Sequence, residues 1–186
     1  MALDGGPNLR NELKRATATV HARLDARVGG LPLGERAEYA AFLAAQFEAR
    51  NAVEPALGEY CLPGLPGMPS QLASLAADLS EMGYRARGAM SRTRFANVSQ
   101  ALGAAWVVSG SAMGNRAMLV QRHKAGCSGP ERFLSDTRMA DYFRQLVTVL
   151  ESAPEGIELA EAVRGAQKAF ALFEAAFTRQ ELEAAA

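Results

Sequence analysis

Histidine and cysteine are scarce in this chain, with two of each in 186 residues, and the scarcity limits its chemistry. Cys61 and Cys127 lie far apart and make no CxxC pair, so they read as free thiols in a reducing cytoplasm rather than a disulfide framework. Net charge is absent too. Twenty basic residues balance twenty acidic ones, which leaves no global basic field for nucleic acid and no acidic tail. No apolar run approaches the roughly 20 residues a membrane span requires. The polar opening Met-Ala-Leu-Asp-Gly-Gly-Pro lacks the apolar core of an export signal. Alternating β-branched strands, internal repeats and low-complexity tracts are also missing.

What is present is helical periodicity and, at 49% hydrophobic residues, enough apolar material for a full core. The expectation is an all-α, cytoplasmic protein, one domain over 1–186 with a flexible stretch at 1–8. Leu9, Leu13, Ala16, Val20, Leu24 and Val28 step by three and four, with Asn8 placed to cap the helix start and Gly29-Gly30 its end. A second helix from about Glu35 carries Tyr39, Phe42, Leu43, Gln46, Phe47 and Val53 on its inner stripe, and Pro55 should end or bend it. Residues 62–69 form a Pro/Gly loop, after which Ser70 caps a third helix reaching about Met82. One unbroken buried helix is expected from about Ser91 to Val120. Another follows Pro130, with Phe133, Leu134, Met139, Phe143, Leu146, Val147 and Leu150 on its apolar face. A last helix opens at Pro154 and carries Phe170, Phe173 and Phe177.

Two features go beyond a helical core. Gly110 and Gly114 share one face of the fourth helix, where each costs about 0.5–1 kcal/mol relative to alanine. Such a cost is offset by close approach of bare backbone to a packed helix or to a flat ligand. His21 borders the apolar stripe of the first helix, with Thr17, Leu24 and Val28 on its face. It reads either as a core histidine bonded to a carbonyl or as a metal ligand. A lone histidine is too little for structural zinc, but it is what a haem iron takes as its proximal ligand. His123, in Val-Gln-Arg-His-Lys, reads as a solvated residue at a helix end.

The segment Leu13-Lys-Arg-Ala-Thr-Ala-Thr-Val-His21-Ala-Arg-Leu-Asp resembles the proximal helix of haem oxygenases, in their bacterial and bacteriophytochrome-associated branches. Trp106-Val-Val-Ser-Gly-Ser-Ala-Met-Gly114-Asn-Arg resembles the distal helix. Tyr39, Phe42 and Phe47, and the terminal Lys168-Ala-Phe-Ala-Leu-Phe-Glu, follow in family order, so the resemblance spans about residues 9–180. It implies a multi-helical bundle that holds haem between the first helix and the glycine-containing one.

The implied activity is oxidative cleavage of haem b, both cofactor and substrate, to biliverdin, carbon monoxide and ferrous iron. It consumes O2 and electrons from a ferredoxin, a flavodoxin or a reductase, and a bacteriophytochrome is one recipient of biliverdin that the branch suggests. His21 would hold the iron without the electron push of a thiolate. Gly110, Ser111 and Gly114 would form the distal catalytic segment, their backbone groups and ordered water steering dioxygen toward a ring edge. Lys14 and Arg144 would meet the propionates, with solvated surface charge as the alternative. Phe170 and Met113 would line the pocket, with plain core as the alternative. The chain departs from the family at Ser111, where many members carry aspartate, and no acid lies between Trp106 and Gln121. A haem carrier or sensor that has lost turnover is therefore the second reading. A helical interaction protein whose glycines serve packing alone is the third.

Overall fold

The computed structural model describes residues 8–88, 92–152 and 154–184, and among these every regular element is a helix. The expected flexible stretch at 1–8 therefore lies outside the described residues, apart from Asn8. Helix α1 runs Leu9–Gly29, α2 Arg36–Leu57, α3 Leu72–Glu81 and α4 Val98–Gly110. A 3-10 turn over Ser111–Gly114 leads into α5, Asn115–Lys124; α6 is Arg132–Ser135, α7 Arg138–Glu151 and α8 Leu159–Ala184. No described helix is long and apolar enough to cross a membrane.

The capping expectations at α1 hold: Asn8 Oδ1 accepts from the Asn11 N–H at 3.3 Å, and Gly30 closes the other end. Further along, the boundaries differ. The fourth helix begins at Val98, not near Ser91, because Asn97 supplies the cap, its Oδ1 accepting from Gln100 N–H at 3.0 Å. It is also not continuous, since the α-helix ends at Gly110 and tightens to 3-10 geometry before α5 resumes. The helix expected after Pro130 is two helices, parted where Asp136 adopts an extended backbone and accepts from the Arg138 N–H at 3.0 Å. The last helix opens at Leu159 rather than Pro154, and α3 at Leu72, where Ser70 Oγ accepts from the Leu72 N–H at 3.3 Å. Pro55 stays inside α2, which ends two residues later at Leu57.

The core centres on α2 and α8, with α4 packed across α8 and α1 against α7 and α8. Phe42 ties the layers together, its ring 6.2 Å from that of Phe133 and 6.1 Å from that of Phe177. The tightest joint is between α4 and α8. A Cβ at Gly103 would stand 1.8 Å from the Ala162 carbonyl oxygen, and one at Gly165 would stand 1.9 Å from that of Gln100. At this crossing, backbone lies on backbone.

Candidate functional site

His21 is not the core histidine its stripe allowed. Its side chain is 59% exposed on α1, and Nδ1 lies 2.8 Å from Oδ2 of Asp25, one turn on. A carboxylate there accepts a hydrogen bond from Nδ1–H, which fixes the ring's orientation and leaves Nε2 unengaged by Asp25. The ring of Phe170, from α8, meets the imidazole edge-on at a centroid distance of 6.0 Å. Val20, Leu24 and Val28 continue the stripe half-buried, so this stretch of α1 presents apolar surface around one basic nitrogen.

Ion pairs hold α1 in place. Arg10 reaches Glu151 of α7 at 2.8 Å, Arg23 reaches Glu174 of α8 at 2.5 Å, and Arg27 donates to Thr178 Oγ1 at 3.0 Å. Because α4 also packs on α7 and α8, those two helices link the histidine helix to the glycine segment.

In the glycine segment, a Cβ at Gly110 would meet the Phe143 ring at 3.2 Å, so this glycine admits an aromatic side chain of α7. Phe143 in turn packs on Trp106, ring centroids 5.2 Å apart. At Gly114 a Cβ would make only ordinary contact with the Met118 methyl, 3.6 Å away. Met113 is exposed, at 52%. Lys14 is exposed on α1, and Arg144 is exposed and paired with Asp141 at 2.6 Å. The structure thus brings His21 to Phe170 and Gly110 to Phe143, and it places Lys14, Met113 and Arg144 at the surface. His123 ends α5 exposed, with Nε2 at 2.8 Å from Glu131.

Sequence reasoning missed the residue beneath the distal turn. Arg50 of α2 is fully buried, and burial lowers its pKa against the opposing pull of Glu54. Its Nη2 donates to Ser111 Oγ at 2.7 Å and to the Val108 carbonyl at 3.4 Å, while Nη1 donates to Glu54 at 3.1 Å and Nε to Gln46 at 3.3 Å. Ser111 Oγ donates on to the same Val108 carbonyl at 2.8 Å. Where α4 becomes 3-10, Val108 O is met by these side chains. Glu54 is held in turn by the Ser70 hydroxyl at 2.7 Å and the Gln71 N–H at 3.3 Å. The one available signal was Arg50 and Glu54 at i, i+4, a spacing more often seen on a solvated face.

These residues fit a haem. The donor set is one imidazole whose Nε2 has no protein partner among the described residues, flanked by apolar side chains. Among the described residues no group of three His, Cys, Asp or Glu side chains could hold a metal ion.

No protein-family model and no curated protein sequence matches the chain. Its fold is similar to that of the haem oxygenase from Neisseria meningitidis, solved with NO and CO bound, at a TM-score of 0.75 and 21% identity. The match covers 94% of this chain and 92% of that one. All-helical, with a histidine on its first helix and a 3-10 break after its fourth, the protein has the haem oxygenase fold.

Proposed function

We propose that the protein is a haem oxygenase of the cytoplasm, a single domain that opens haem b to biliverdin, carbon monoxide and ferrous iron. The observation that carries this reading is His21: an exposed imidazole with Nδ1 2.8 Å from Asp25 and its ring edge-on to Phe170, in a haem oxygenase fold. Bound haem supplies the iron and the ring that is attacked, with O2 and electrons from a ferredoxin, a flavodoxin or a reductase. In this reading His21 Nε2 would hold the iron, and the Asp25 carboxylate would accept from Nδ1–H and orient the ring. Phe170 packs against the ligand, and Lys14 and Arg144 supply cations for the propionates at the rim.

Gly110, Ser111 and Gly114, where α4 gives way to 3-10 geometry, would form the catalytic segment on the oxygen side. The Ser111 hydroxyl, pinned between Arg50 and the Val108 carbonyl, keeps that segment in register. One observation favours the alternative, a haem carrier or sensor without turnover. No acid lies in 106–121, and Ser111 already spends its hydrogen bonds on the protein.

The test is haemin titration followed by ascorbate in air with catalase present. A Soret band that forms and then decays to red biliverdin absorption is the expected result. A band that forms and persists selects the carrier. No band would overturn the role of His21. His21→Ala should lose the wild-type Soret position while keeping its helical circular dichroism.

A further inference from the structure

Away from α1 and the distal turn, a cavity of about 340 Å³ opens where the start of α2, the end of α3 and the loop after α5 meet. Arg36, Tyr39, Arg122, Cys127 and Gly129 are among its walls, and no Asp or Glu is. Arg122 is only 4% exposed, yet no carboxylate pairs with it among the described residues. Its guanidinium lies 3.6 Å over the Tyr39 ring, and Nη1 donates to the Leu33 carbonyl. Nε is buried with no partner at all. Nη2 has no protein acceptor among the described residues, and it lies 3.8 Å from where a Cβ of Gly129 would be.

Arg36, exposed at the rim, donates Nη2 to the Met82 carbonyl at 2.7 Å and likewise has no carboxylate. Two nearby acids are engaged elsewhere, Glu131 with His123 at 2.8 Å, and Asp78 with Arg132 at 3.0 Å and the Phe133 N–H at 2.9 Å. Glu35, next to Arg36 in the chain, is exposed and is not among the walls. Burying a cation without a counter-charge is costly, and stacking on one ring offsets only part of that cost.

We propose that this cavity binds a small oxyanion, a phosphate group held between the guanidiniums of Arg122 and Arg36. The planar fork of arginine matches phosphate geometry, and the N–H groups of Ser128 and Gly129, which donate to no described protein acceptor, stand in the same wall. Both inorganic phosphate and a phosphomonoester offer this chemistry. The site shares no residue with the haem reading and stands or falls without it.

Cys127, half-buried in the same wall, provides the readout. In a Cys61→Ser background, its alkylation by iodoacetamide is timed with inorganic phosphate and with sodium chloride at equal ionic strength. Phosphate should slow the reaction about tenfold once it reaches about ten times its Kd, and should raise Tm in parallel. Arg36→Gln should weaken the protection and Arg122→Met should abolish it. If Arg122→Met does not fold, the rim variant decides. Equal rates in phosphate and chloride, or unchanged protection in Arg36→Gln, would overturn the proposal. Tighter protection by glycerol phosphate than by inorganic phosphate assigns the site to an ester, and weaker protection assigns it to the free ion.

Discussion

Tyr142 carries a hydroxyl into the core, buried and with no hydrogen-bond partner, and burial pushes its pKa up to about 12. In the unfolded chain the phenol ionises near its ordinary value of 10.0. Between those values the native state keeps a proton that the unfolded state gives up, so stability falls as pH rises through the window. Tyr142→Phe should flatten that alkaline slope and, by removing an unsatisfied polar atom, stabilise the fold by about 1 kcal/mol. Urea midpoints at neutral pH and at pH values within the window check both parts. Tyr39, whose hydroxyl donates to the Pro130 carbonyl at 3.0 Å and whose pKa burial also raises, keeps its share of the slope. At this scale the sequence is readable only where a residue acts on its neighbours. The Asn8 cap is local and was legible. Arg50 was not, because its acceptors Val108 and Ser111 lie 58 and 61 residues away.

At the scale of elements, the glycines divide by what faces them. Gly103 and Gly165 let α4 and α8 meet backbone to backbone, and a methyl at either would overlap a carbonyl oxygen that has nowhere to go. Gly103→Ala or Gly165→Ala should each cost about 3 kcal/mol in chemical denaturation. Gly67→Ala, with nothing within 4 Å, is the control and should be near neutral. Sequence reasoning put the close approach at Gly110 and Gly114, whose spacing is visible along the chain. Gly103 and Gly165 lie on different helices, so nothing local pairs them. Helix order was legible from apolar periodicity, but the ends of α4, α7 and α8 were not. There a side-chain cap (Asn97) or an extended residue (Asp136) overrides the stripe.

Across the whole molecule, burial is uneven. Helix α2 buries residues along its full length, whereas α1 fully buries only Leu9, Leu13 and Thr17, all in its first half. The second half, which carries His21, is held by ion pairs and by half-buried Val20, Leu24 and Val28. Hydrogen exchange should therefore be faster there than in α2. Adding haemin should slow it in the wild type and leave it unchanged in His21→Ala, as a mass-spectrometric time course will show. The histidine on the first helix and the glycines of the fourth were legible in sequence. Their linkage through α7 and α8 was not, because it depends on how helices cross.

The α4–α8 crossing has a kinematic consequence. A contact between two backbones cannot slide without collision, so α4 is pinned along its axis at Gly103. Movement of α5 relative to α4 must then come from rotation about the 3-10 turn at Ser111–Gly114, which Arg50 and Ser111 tie by side-chain hydrogen bonds. Helix α4 is a fixed arm, and the joint that follows it is one turn long.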